Sequence, residues 1–167
     1  SELKKLDYLV GDITETNVST SPKPPFTTST ILQEAMRKLG FSAKRTSAIT
    51  QRLYEGVSIR GKLVGLITYM RTDSVYISKD AIDGIRKFVA KKYGDKFVPK
   101  EVRAYRNKTK NAQEAHEAIR PTDVSRHPDD IRSDLTDEQY VLYQLIWQRV
   151  VASQMENAQH KRTTIDI

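Results

Sequence analysis

The chain has 167 residues, 38% hydrophobic and 29% charged, with no cysteine. That is about one domain with enough apolar material for a core, and it excludes a disordered tail, a disulfide framework and a thiolate metal site. The net charge is +7; no apolar run approaches the ~20 residues of a bilayer-spanning helix, and the charged start SELKKLDYLV leaves no place for a signal peptide's apolar stretch, so a cytoplasmic protein with no membrane partner is expected.

In chain order, Leu9–Val18 alternates weakly and reads as a strand. Ser19–Pro25 (STSPKPP) is a linker, since its three prolines can continue neither a helix nor a central strand. Thr30-Ile31-Leu32-Gln33 has the form of a capping box, with Leu32, Met36 and Leu39 following at helical spacing and Gly40 as the stop. A second helix follows Ser42, with Ile49 and Leu53 as its stripe, and ends at Gly56. Next come Val57–Ile59, a turn at Arg60-Gly61-Lys62 and the apolar run Leu63–Met70. Two helices followed by a hairpin are in the order of a winged helix.

Ser78 and Asp80 open a third helix whose stripe is Ile82, Ile85 and Val89; Lys91 and Lys92 lie in its last turn, and Gly94 stops it. A short helix is expected over Ala112–Ile119, ending before Pro121. Thr136-Asp137-Glu138-Gln139 is another capping box, opening a long helix to about Met155 that is apolar nearly all round and carries Trp147 as core. Thr163–Ile167 reads as a last strand. The fold class is therefore mainly α with a small β-hairpin, a winged-helix-like domain, flanked by short strands of a neighbouring β domain. The expected divisions are 1–21, 22–150 and 151–167.

Charge is uneven along the chain. Residues 86–110 hold ten Lys or Arg against Asp95 and Glu101, while residues 129–138 are acidic. A basic segment on a globular protein suits a polyanion such as nucleic acid, although a solvated lysine-rich helix accounts for it too. Asp129, Asp130 and Asp134 read as surface charge.

Two clusters could do chemistry. The first is Gly65–Ser74 (GLITYMRTDS). In an extended chain Tyr69, Arg71 and Asp73 point one way and Thr68, Met70 and Thr72 the other. A phenol's ordinary pKa is about 10, so a tyrosine nucleophile needs help losing its proton. A neighbouring guanidinium gives that help, and its planar fork also fits a phosphate. The plainer alternative is a core-packed strand-end tyrosine with an Arg71–Asp73 surface ion pair. The second cluster is Asn111–Thr122. On a helix His116, Glu117 and Arg120 would face away from Ala112, Ala115 and Ile119. Such a group suits phosphate binding or proton transfer; a metal site is disfavoured because no spaced second set of His or Cys accompanies it.

GLITYMRTDS resembles the active-site segment of type IA DNA topoisomerases. Three further blocks follow the family's order: PFTTSTILQEA (Pro25–Ala35), LGFS with QRLYE (Leu39–Ser42, Gln51–Glu55), and EAHEAIRPT (Glu114–Thr122). Met70, where type III-like members usually carry Pro, points to the bacterial topoisomerase I and reverse gyrase branches. Ile31 and Thr50 depart from the usual Leu and Ala, at helix positions outside the chemistry.

The resemblance implies an internal piece of an ATP-independent enzyme. Tyr69 would form a transient 5′-phosphotyrosine link with single-stranded DNA, allowing strand passage and relaxation of negative supercoils. Arg71 would bind the scissile phosphate, Asp73 would orient Arg71 or its neighbours, and His116 would contact phosphate or assist proton movement. Arg120, Glu114, Thr72, Lys91 and Lys92 are the candidate DNA contacts. The end strands would belong to the family's β hinge. No cofactor or metal ligand is expected in this piece; Mg2+ would sit on the metal-binding domain of the same full-length chain, so the piece alone should neither hold it nor relax DNA. A winged-helix DNA-binding module without chemistry explains the helix pair, hairpin and basic segment, but not the shared face of Tyr69, Arg71 and Asp73. A tyrosine recombinase or type IB enzyme carries its Tyr near the C-terminus, whereas Tyr69 lies in the first half.

Overall fold

The computed structural model describes residues 9–105 and 116–166. Helix α1 (Thr28–Leu39) begins ahead of the expected box. Its N-cap is Thr27, whose hydroxyl accepts from the Thr30 N–H at 3.3 Å while the Thr30 hydroxyl accepts from the Thr27 N–H at 2.8 Å. Gly40 closes it in the left-handed region, φ 68°. The buried face is Ile31, Glu34 and Ala35, not Leu32, Met36 and Leu39; Met36 is 58% exposed. Apolar periodicity missed this face because a carboxylate, Glu34, occupies it.

Helix α2 (Ala43–Glu55), capped by Ser42, buries Ile49 and Leu53 as expected, with Thr46 and Thr50 beside them. Strands β2 (Val57–Ile59) and β3 (Lys62–Val64) pair antiparallel. Arg60 and Gly61 both have positive φ, the primed-turn geometry that matches strand twist. The strand stops at Val64, short of the expected Met70. Helix α3 (Lys79–Tyr93) runs from Ser78 to Gly94 and buries Ile85 and Val89. Short 3-10 turns span Asp95–Phe97 and Pro128–Asp134.

Helix α4 (Asp137–Ser153) is the spine, packed against α1, α2 and α3. The Thr136–Gln139 capping box is present. Leu142, Tyr143, Ile146, Trp147 and Val150 are buried, and their burial is the main drive for assembly. The polar ends of its two buried aromatics are satisfied: the Tyr143 hydroxyl donates to Arg126 O and the Trp147 Nε1 to Val124 O, each at 2.9 Å.

The expected helix over Ala112–Ile119 is not formed where it can be seen; residues 112–115 lie outside the described residues, and residues 116–121 are extended. Their backbone groups bond to distant segments instead. Ala118 N donates to Tyr76 O at 2.7 Å, Ile119 N to Phe26 O at 2.8 Å, and Thr122 N to Leu66 O at 3.0 Å. Ala118 and Ile119 are fully buried, and Arg120 is biased to extended geometry by Pro121.

The chain falls into two compact units, dividing between Ser21 and Pro22 and between Glu156 and Asn157. Residues 151–156, expected in the return segment, therefore lie in the larger unit with α4. In the smaller unit β1 (Asp12–Thr20) pairs antiparallel with β4 (Ala158–Asp166), from Asp12 opposite Asp166 to Thr20 opposite Ala158. β1 runs two residues past its expected end at Val18, β4 begins five residues before its expected start at Thr163, and both strands are almost wholly exposed. Among the described residues no helix is long and apolar enough to cross a membrane.

Candidate active site

The site is built on residues 65–74, which leave β3 and cross the end of α2. Leu66 N donates to Leu53 O at 2.7 Å. Thr68 N donates to Arg120 O at 2.9 Å, and the Thr68 hydroxyl donates to Ala118 O at 2.7 Å and accepts from Arg120 N at 3.0 Å. Thr28, at the start of α1, grips the next stretch. Its hydroxyl has one proton to share between Met70 O, at 2.7 Å, and Thr72 O, at 3.0 Å, and it accepts from Thr72 N at 2.9 Å. Thr28 N adds a bond to Thr72 O at 2.8 Å.

These anchors hold an extended chain outside any regular sheet. Met70, Thr72 and Ser74 are buried, while Tyr69, Arg71 and Asp73 are exposed. The expected division of faces is therefore present without a strand ladder. Tyr69 is 38% exposed, which removes the core-packed alternative. Its ring meets Tyr54 edge-on at 5.3 Å and lies 6.0 Å from the His116 ring.

Arg71, Asp73 and His116 line one open cleft, whose other wall is the first turns of α1: Thr27, Thr28, Ser29, Leu32 and Gln33. Residues far apart in sequence thus converge, with Tyr69 beside His116. Among the described residues the side-chain polar atoms of Tyr69, Arg71, Asp73 and His116 enter no hydrogen bond or ion pair. Asp73 makes no ion pair with Arg71, so the surface pair of the plainer alternative is not formed. Free donors on Arg71 and His116, beside the positive end of α1, favour an anion.

Other candidates are placed differently. Arg120 spends three of its five N–H donors within the protein: Nε and Nη2 donate to Glu117 Oε2 at 3.1 and 2.6 Å, and Nη1 donates to Pro121 O at 2.9 Å. Glu117 Oε1 accepts from Ser78 N at 2.6 Å. Burial pushes the Glu117 carboxyl up, but the bonds from Ser78 and Arg120 prevail and hold it below its ordinary value. Arg120 and Glu117 thus brace the strap that carries His116. Thr72 is 6% exposed and its hydroxyl accepts from Ser74 N at 3.0 Å, so it shapes the loop from inside. Lys91 and Lys92 are exposed in the last turn of α3, about 20 Å along the helix from Ser78, and do not line the cleft. Glu114 lies outside the described residues, as do Arg106, Lys108 and Lys110 of the basic segment.

Several positioning groups escaped sequence reading. Arg149 of α4 reaches Glu34 at 3.3 Å, Pro24 O at 3.3 Å and the Phe26 ring at 4.1 Å, tying α1 and its approach to the spine. Glu34 also takes Arg37 at 2.8 Å and Lys38 at 3.2 Å. The only sequence signal was a carboxylate amid basic residues.

A DNA topoisomerase family model of bacterial type matches residues 1–167. The chain belongs to the type IA DNA topoisomerase family. It is 54% identical over 156 residues to DNA topoisomerase 1 of Rickettsia bellii, covering 93% of this chain and 20% of that protein. With DNA topoisomerase 1 of Helicobacter pylori the identity is 44% over 158 residues, 95% of this chain and 22% of the other. The structure of full-length topoisomerase I from Thermotoga maritima superposes with a TM-score of 0.78 at 38% identity, covering 98% of this chain and 26% of that one. The chain thus spans about a fifth of the length of the curated topoisomerases it matches. Tyr69, Arg71 and His116 lie in this topoisomerase segment.

Proposed function

We propose that this chain is the nucleophile-bearing part of a cytoplasmic, ATP-independent type IA DNA topoisomerase that relaxes negative supercoils. Tyr69 Oη attacks a phosphorus of single-stranded DNA. The P–Oη bond forms as the P–O3′ bond breaks, the phenolic proton departs, and the 3′-oxygen leaves as a hydroxyl after taking up a proton. The 5′-phosphotyrosine link keeps the phosphodiester energy, so resealing runs the same steps backward without ATP. Arg71 neutralises charge on the attacked phosphate, and His116 contacts that phosphate or relays a proton. The observation that carries this is an exposed Tyr69 beside His116, with Arg71 on the same cleft, its polar atoms unspent among the described residues. Helices α1 and α2 followed by the β2–β3 hairpin give a winged-helix-like platform, and β1 and β4 are read as strands of the β hinge.

The family implies Mg2+ in the full-length enzyme. The residues here do not suit it. Among the described residues near the cleft both Glu117 oxygens are engaged by Ser78 and Arg120, leaving Asp73, short of the oxygen set that Mg2+ needs. The metal is assigned to the metal-binding domain of the same full-length chain, and no step is routed through it here.

The test is Tyr69→Phe in the full-length protein. Covalent protein–DNA adducts should vanish while noncovalent single-strand binding stays near wild type. Adducts persisting in the variant overturn the assignment; no adduct from wild type either favours a winged-helix module without chemistry.

A further inference from the structure

Tyr54 lies in the last turn of α2, and nothing in the preceding mechanism uses it. Its ring is 39% exposed and meets the Tyr69 ring edge-on, centroids 5.3 Å apart and planes 68° apart. The contact is fixed from the backbone. Leu53, fully buried, accepts from Leu66 N at 2.7 Å. A Cβ on Gly65 would stand 2.8 Å from the Tyr54 carbonyl oxygen, so only glycine lets the chain cross α2 this closely. Four residues later that chain delivers Tyr69 against the Tyr54 ring.

We propose that Tyr54 is a positioning residue that holds the Tyr69 ring in the pose from which its hydroxyl attacks phosphorus, an inference that rests on the function proposed above. Among the described residues the Tyr69 hydroxyl has no hydrogen-bond partner, so its ring is oriented by its aromatic neighbours Tyr54 and His116. His116 is tilted at 39° and 6.0 Å, a looser contact than the edge-on Tyr54. Losing the Tyr54 wall frees the phenol to rotate away from His116, and small misplacements of a reacting atom are costly in rate. The Tyr54 hydroxyl likewise has no partner among the described residues, so the ring, not the oxygen, does the work.

The experiment uses full-length protein and a single-stranded oligonucleotide, with single-turnover adduct formation and Kd measured separately. Tyr54→Ala and Tyr54→Leu should each slow adduct formation roughly tenfold at unchanged Kd, and Tyr54→Phe should stay within about twofold of wild type. Thermal melts show which variants fold, and the leucine, which keeps bulk without a ring, decides the matter if the alanine does not. Wild-type rates in the leucine variant, a phenylalanine as slow as the leucine, or a loss confined to Kd each overturn the proposal. Tyr69→Phe run in parallel separates the two claims: adducts from that variant overturn the nucleophile assignment itself.

Discussion

Thr28 spends both its hydroxyl and its backbone N–H on Met70 and Thr72, the residues on either side of Arg71. Thr28→Val keeps the shape and removes the oxygen, leaving Thr72 N–H without its acceptor at 2.9 Å. Stranding a part-buried polar group costs about 1–3 kcal/mol, so denaturant unfolding of the chain should show a loss of that size. Thr28→Ser keeps the hydroxyl and should lose less than about 1 kcal/mol. In the full-length enzyme the valine variant should also form adducts more slowly, since Arg71 and Tyr69 ride on the loosened loop. Equal stability of valine and serine variants would mean that water replaces the threonine oxygen. At this scale the site was partly legible. The face shared by Tyr69, Arg71 and Asp73 follows from two-residue alternation, which extended backbone obeys with or without a partner strand. The grip of Thr28 was not legible, because its partners lie 42 and 44 residues away.

Helices declared themselves through caps: Ser42, Ser78 and Thr136 open α2, α3 and α4 where their chemistry suggests. Elements fixed by distant pairing did not. Residues 116–121 carry helix-compatible composition, yet their N–H groups find Tyr76, Phe26 and Thr68, so tertiary bonding overrides local preference. The face of α1 was misread for a related reason, since Glu34 is buried by cations from α1 and α4. Burial pushes its carboxyl up, but hydrogen bonds from Arg37 and Lys38 and the charges of Arg149 and Arg37 outweigh that and hold it at about 2. Burial also draws the Arg149 guanidinium down from its ordinary value, against the pull of Glu34. A carboxyl depressed from 4.5 to about 2 stabilises the folded state fully above pH 4.5, and the contribution is lost as pH falls from there to about 2. Acid unfolding of the chain should therefore steepen across that window. Glu34→Gln should be less stable at neutral pH and lack that part of the slope. An unchanged acid limb would mean that other carboxylates set it.

At the scale of the whole molecule, the chain carries the proposed nucleophile Tyr69 and a cleft lined by Arg71 and His116, but spans about a fifth of the topoisomerases it matches. A break held at Tyr69 relaxes DNA only if the other end of the cut strand is also held and a second strand can pass between. Among the described residues the cleft offers one unengaged carboxylate, Asp73, to any metal. The β1–β4 ribbon also points to missing surroundings. Its strands are exposed on both faces, and a two-stranded ribbon without a covered face is marginal alone. The 167-residue chain by itself is therefore expected to bind single-stranded DNA weakly, with affinity falling as salt rises, and to leave negatively supercoiled plasmid unrelaxed with or without Mg2+. Full-length protein assayed beside it should relax the same plasmid and lose that activity with Tyr69→Phe. Robust relaxation by the isolated chain would mean that strand capture and passage need no more than these residues, and would overturn its assignment as one part of the full-length enzyme's machinery.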